Sequence, residues 1–237
     1  CALPIWDNYG LASPWSESAN FKMNTPPLTP SALQTDGSTN PTGVSNTLPK
    51  FTALFTDPDG DSSTQYQVEV NTNSSFTGTV MWDSGQVTFP SAVANGSRTA
   101  DITYSGTALV TNGNTYYWRI RLWDSKGAVS GWSSVNSFKM LDVPNAVSNF
   151  TGAALSTSSI RWSFVDNSNG ESGIRLYNQN NSLVKTCIGE NLTYCDEDGL
   201  DENTQYTRYA IVYNSEAQSS PSDTAQRYTL LSVPTVS

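Results

Sequence analysis

The chain has 237 residues, 37% of them hydrophobic and 11% aromatic, enough for two domains of ordinary size each to bury a core. Only 14% are charged, and a formal net charge of -9 with 12 Lys plus Arg repels a phosphate backbone, so nucleic acid is not expected as a partner. The absence of His removes the commonest zinc ligand and general base, and no apolar run approaches the roughly 20 residues that span a bilayer.

The first element is a repeat. Residues 6–23, from Trp6-Asp7 to Phe21-Lys22-Met23, return without a gap at 123–140, matching at nine of eighteen positions. Both copies carry Trp-Asp-x-x-Gly, Ser-x-Trp-Ser and Phe-Lys-Met, and self-similarity at this 117-residue offset signals modules in tandem. Residues 1–23 are therefore expected to be the C-terminal hairpin remnant of a preceding module, with Trp6 and Phe21 poorly buried. Leu231-Ser232-Val233-Pro234 echoes Leu141-Asp142-Val143-Pro144, so residues 232–237 are expected to begin a further module, making the sequence a piece of a longer array.

The first whole module, residues 24–140, opens with Pro26, Pro27 and Pro30, which lack an amide donor and suit an inter-domain edge. Strands are expected at 51–55, 66–70, 80–82 and 102–104. The longest follows, with Tyr116, Trp118, Ile120 and Leu122 on a core face and Tyr117, Arg119, Arg121 and Trp123 facing solvent. A closing strand is expected over 131–140, and Asp59-Gly60, Asn95-Gly96, Asn112-Gly113 and Lys126-Gly127 mark turns. The second module, residues 141–231, repeats the plan in fewer residues: Ile160, Trp162 and Phe164 alternate inward, 166–170 turn, 174–177 run back and 206–213 supply the long strand. Short alternating strands with frequent Asn, Ser and Thr predict an all-β chain of tandem β-sandwiches.

The second module resembles the fibronectin type III family, in which a buried Trp on the second strand and a Leu-x-x-x-Thr-x-Tyr corner recur. Trp162 matches the first, and Leu200, Thr204 and Tyr206 match the second. The resemblance implies tandem fibronectin type III-like β-sandwiches. The first module departs from the pattern with Ala53 in place of the buried Trp, and Trp118 on the facing strand is expected to fill the volume. Its Trp82-Asp83-Ser84-Gly85 and Thr115-Tyr116-Tyr117-Trp118-Arg119 resemble accessory modules of bacterial surface proteins and of rhamnosidase-type glycoside hydrolases. Ser130-Gly131-Trp132-Ser133 resembles half of the Trp-Ser-x-Trp-Ser signature of cytokine-receptor modules, which implies Trp132 stacked between Arg119 and Arg121. Strict alternation puts Trp132 on the face of Phe138, so that stack needs a bulge, and core packing is the alternative.

Asp57-Pro58-Asp59-Gly60-Asp61 gathers three carboxylates in one turn. Hard cations such as Ca²⁺ favour clustered oxygens, while a solvated turn needs the same residues for backbone reasons alone. Asp196, Glu197, Asp198, Asp201 and Glu202 form a denser acidic run, a pattern usual for a solvated face. Cys187 and Cys195, eight residues apart around Gly189, are expected to form a disulfide, with two small buried thiols as the alternative. Cys1 is expected to stay free. Asp166, Glu171 and Glu190 are loop carboxylates in no recognisable catalytic motif, and Asn-x-Ser/Thr triplets at Asn73, Asn95, Asn149, Asn180 and Asn191 support export weakly. The expected function is a non-catalytic extracellular or cell-surface spacer or adhesion segment. It would meet a protein or glycan at the surface and its neighbouring modules, with no nucleic acid, no membrane segment and no cofactor beyond calcium. The alternative is a set of accessory modules of a secreted carbohydrate-active enzyme.

Overall fold

The computed structural model describes residues 4–14 and 20–232. The readings that concern Cys1, Trp15, Val233 and Pro234 lie outside these residues. Every regular element among them is a strand.

Eight strands build the first sandwich: β1 (Ser31–Thr35), β2 (Lys50–Leu54), β3 (Ser63–Asn71), β4 (Val80–Asp83), β5 (Val87–Val93), β6 (Ile102–Thr103), β7 (Thr115–Asp124) and β8 (Asn136–Lys139). One sheet runs β1-β2-β6. The other runs β4-β3-β7-β8, with β5 also paired to β3, and all pairings are antiparallel. The period-2 pattern of β7 sets the core face. Tyr116, Trp118, Ile120 and Leu122 are all buried, with Trp118 opposite Val70, Ile120 opposite Val68 and Tyr116 opposite Phe138. The Trp118 ring lies 4.6 Å from that of Phe51, two positions before Ala53 on β2, and its Nε1 donates to Thr35 Oγ1 at 3.0 Å. The indole therefore touches both sheets, and its one polar atom is satisfied.

Two expectations for this module change. The closing strand is shorter than 131–140, because Ser130 and Ser133 replace main-chain carbonyls with their hydroxyls, which accept the Leu122 and Ile120 N–H groups at 3.0 and 3.1 Å. Ladder pairing with β7 starts only at Asn136. Trp123 is buried rather than solvent-facing, since residue 129 pairs with it and the Arg121 guanidinium covers its ring at 5.1 Å.

The second sandwich holds β9 (Ser148–Ala154), β10 (Ser159–Val165), β11 (Gly173–Asn178), β12 (Leu183–Ile188), β13 (Tyr194–Asp198), β14 (Gln205–Tyr213) and β15 (Ala225–Tyr228). Its sheets run β13-β10-β9 and β12-β11-β14-β15. Ile160, Trp162 and Phe164 point inward against Ile174, Leu176, Ala210 and Val212, and Phe150 stacks on Trp162 at 5.6 Å. Gly152, opposite Trp162 on β9, is required by that packing, since a Cβ there would collide with the indole. At the corner, Leu200 packs on the core and the Tyr206 hydroxyl accepts the Asp201 N–H at 2.9 Å. The same Ser device recurs: Ser219 and Ser222 accept the Val212 and Ala210 N–H groups at 3.0 and 2.9 Å.

Ahead of the first sandwich, residues 5–13 close a small hairpin, with a bridge between Trp6 and Ala12. Trp6 is 64% and Phe21 85% exposed. With so little buried there, amides of residues 5–13 are expected to exchange with solvent far faster than those of β7, and equal protection in a hydrogen-exchange experiment would contradict this.

Candidate functional site

The acidic turn between β2 and β3 is the most concentrated group of oxygens. One carboxylate oxygen from each of Asp57, Asp59 and Asp61 lies within 4.8 Å of the others. The turn also has a backbone reason to exist. Asp57 Oδ1 accepts the N–H groups of Asp59 and Asp61 at 2.8 and 3.2 Å, and the Asn95 side chain brackets the Asp57 main chain. Both oxygens of Asp59 are engaged, Oδ1 by Lys22 Nζ at 2.7 Å and Oδ2 by the Thr25 N–H at 2.6 Å. The hydrogen bond from Lys22, then that from Thr25, holds the Asp59 carboxyl below its usual range, and Asp59 raises the Lys22 ammonium. A lowered carboxyl pKa contributes stability above the unfolded value and loses it as pH falls through the folded one, so this contact weakens in acid. Lys22 thus already occupies one of the oxygens a divalent ion would use, while Asp57 Oδ2 is buried without a partner. Calcium at 10 mM is accordingly expected to shift the melting temperature by less than about 2 °C, whereas a site tighter than about 0.1 mM would show a clear rise that Asp59→Asn abolishes.

Cys187 and Cys195 are joined by a disulfide, with Cα atoms 5.9 Å apart. Pairing of Trp162 with Cys195 turns Cys195 inward and leaves Tyr194 outside, 3.8 Å from the Arg161 guanidinium. The bridge ties the outer strand of one sheet, β13, to the outer strand of the other, β12. Closing so short a loop contributes about 2–3 kcal/mol in the chain-entropy view. Protein recovered under oxidising conditions and alkylated without reduction is expected to carry no label on either residue; label on both would leave two buried thiols.

The acidic run 196–202 does not gather. Alternation along β13 sends Asp196 outward to a two-pronged pair with Arg161 at 2.8 Å, and Glu197 inward. Glu197 carries the least expected arrangement in the molecule. Its carboxylate takes both Nε and Nη2 of Arg208, at 2.7 to 3.0 Å, and the Trp162 Nε1 proton at 2.9 Å, all inside the sandwich. Asp198 stays exposed, 3.7 Å from Lys185.

Asp166 and Glu171 do come together. Burial first, then the charge of Glu171 nearby, raises the Asp166 carboxyl. Glu171 is 2% exposed, with Oε1 held by the Asn191 N–H at 2.6 Å. The other oxygen, Oε2, is buried without a hydrogen-bond partner. A raised pKa stabilises the fold below the unfolded value and ceases to do so as pH rises through the folded one, opposite in sign to Asp59. Glu190 is exposed and apart. Of the Asn triplets, Asn95 has its amide committed to Asp57.

Trp132 stacks between Arg119 and Arg121, with guanidinium carbons 4.5 and 4.8 Å from its ring centroid. Phe76 extends the stack beyond Arg119 and Trp123 beyond Arg121. The irregular stretch held by Ser130 and Ser133 takes Trp132 off the Phe138 face, so no ladder bulge is needed. Glu69 and Gln67 fix the two arginines from the far side, at 2.6 and 2.7 Å. Each contact of this kind contributes roughly 0.5–1 kcal/mol.

Residues 30–141 match the model of the Rha78A-like N-terminal immunoglobulin domain. No curated protein matches the sequence. Solved structures similar to the chain include a Streptomyces avermitilis α-L-rhamnosidase complexed with L-rhamnose, at 14% identity and TM-score 0.41 over 86% of this chain and 25% of that one. The FN1–FN3 domains of chicken CNTN1 align at 16% identity and TM-score 0.37, over 88% and 68% of the two chains. Domains A168–A170 of titin align at 13% and 0.47, over 86% and 67%. The chain thus spans a quarter of the length of the rhamnosidase. The matched segment contains β1 to β8, so residues 30–141 are an immunoglobulin-like module similar to the N-terminal one of Rha78A-like proteins, in an all-β chain of fibronectin type III and immunoglobulin-like architecture.

Proposed function

We propose that the chain is a non-catalytic spacer or adhesion segment of an extracellular or cell-surface protein, made of tandem modules that hold a neighbouring domain away from its anchor. The observation that carries this reading is that two complete cores follow one another along the chain with no shared interior. Each is closed by its own pair of sheets. Such an arrangement spans distance and offers loops at its flanks, where a surface protein or glycan would bind. The Cys187 to Cys195 bridge supports an oxidising compartment. A bacterial source follows only from the resemblance of the first module's Trp-Asp-Ser-Gly and Tyr-Trp-Arg segments to bacterial modules.

A second reading is favoured by one observation, the match of residues 30–141 to a domain of Rha78A-like proteins. Here the modules are accessory parts of a secreted carbohydrate-active enzyme whose catalytic domain lies elsewhere in the protein. Both readings expect the 237-residue chain to hydrolyse p-nitrophenyl α-L-rhamnopyranoside no faster than buffer, and turnover would overturn both. The complete reading frame separates them: a glycosidase domain in the same frame selects the second, and further sandwiches without one select the first.

A further inference from the structure

The linkers entering the two sandwiches are gripped in the same way. At the first, Lys22 Nζ holds one oxygen of Asp59 at 2.7 Å and the Thr25 N–H holds the other at 2.6 Å. At the second, Lys139 Nζ holds one oxygen of Glu216 at 2.9 Å and the Asp142 N–H holds the other at 3.2 Å. Lys22 and Lys139 are the same position of the Phe-Lys-Met repeat, and the donating amide lies three residues on in both. A third contact ties linker to module at each joint, with the donor on opposite sides. Asn24 Nδ2 donates to Asp124 at the end of β7 at 2.9 Å, and Asn214, just past the end of β14, donates to the Asp142 carbonyl at 3.0 Å. Asp124 and Asn214 turn the chain alike: Asp124 Oδ1 accepts the N–H groups of Lys126 and Ala128, and Asn214 Oδ1 those of Glu216 and Ala217.

The two acids come from different loops, Asp59 from the turn between β2 and β3 and Glu216 from the turn between β14 and β15. What repeats is the pair of contacts to one carboxylate, supplied by a different loop at each joint. At the second joint the linker is also fastened behind, since Gly113 N–H donates to the Leu141 carbonyl at 3.3 Å and Val143 N–H to the Thr111 carbonyl at 3.2 Å. Pro144 then fixes its own φ. Little torsional freedom remains between the sandwiches. We propose that the Phe-Lys-Met repeat is an inter-module clasp, in which the lysine and the amide three residues on close on a carboxylate of the following module and set the angle between neighbours. The array is then a semi-rigid rod, and its stiffness falls as salt screens the lysine contact. Lys139 is raised and Glu216 lowered by the hydrogen bond between them, in keeping with a formed contact. The clasp concerns the joint and not what the array carries, so its failure leaves the spacer reading standing, and the reverse also holds.

The test is residual dipolar coupling measured on the full chain at low salt. Each sandwich reports its own alignment tensor, and rigidly joined modules share one. The wild type is expected to fit a single tensor, Lys139→Glu to reduce the tensor of one module relative to the other by about twofold or more, and Lys139→Glu with Glu216→Lys to restore the single fit. Glu216→Gln, on an exposed turn, serves as the independent variant if Lys139→Glu perturbs β8. Unequal tensors in the wild type, a single tensor in Lys139→Glu and Glu216→Gln, or a charge swap that restores nothing would each overturn the clasp.

Discussion

Glu197→Ala is expected to destabilise the second sandwich by about 3–5 kcal/mol, among the largest effects of any single substitution in this chain. The carboxylate and the Arg208 guanidinium are 6% and 8% exposed, and they join strands of opposite sheets, β13 and β14. Removing the acid strands a guanidinium in the core and leaves the Trp162 Nε1 proton without its acceptor. The cost comes from the orphaned charge and not from a large net value of the pair, so Glu197→Leu combined with Arg208→Met should recover most of the loss. Urea unfolding followed at resolved amide signals of β14 measures both variants. A loss below about 1 kcal/mol in Glu197→Ala would show that the buried pair is not formed as described.

Trp118→Ala is the counterpart in the first sandwich. It removes an indole that packs against Phe51 and satisfies Thr35, and a large-to-small change of that kind costs about 3–5 kcal/mol. For a domain of this size the first sandwich should melt some 12–25 °C lower, at about 4–5 °C per kcal/mol. The second sandwich keeps a separate core and should move by no more than about 2 °C. Calorimetry that shows both transitions falling together would mean that the two sandwiches unfold as one unit.

How much of this was legible in the residues depends on how local each determinant is. The faces of β7 could be assigned because period-2 alternation is a property of the strand alone, and Trp162 and Tyr206 fall on a spacing that the fibronectin type III resemblance supplies. Trp123 escaped the alternation rule because residue 129 and Arg121, from a neighbouring turn and its own strand, close over it. The fate of the acidic run could not be read, since whether Glu197 or its neighbours face inward depends on the register of β13 against β10, and the partner Arg208 lies on another sheet. Ser130 and Ser133 look like ordinary polar edge residues, and only their hydroxyls taking β7 amides shortens the closing strand and sets up the Trp132 stack. The acidic turn was visible as a cluster, but the ammonium that pairs with Asp59 comes from Lys22, far enough away in the chain that no local pattern names it.

Separate expression of residues 24–140 and 141–231 tests whether the two sandwiches are autonomous. Each half is expected to fold alone, with amide signals that overlay those of the whole chain except near the joint, around residues 111–113, 139–144 and 214–217, where the linker contacts are cut. Either half giving the narrow dispersion of an unfolded chain, or shifts spread through both cores, would contradict it.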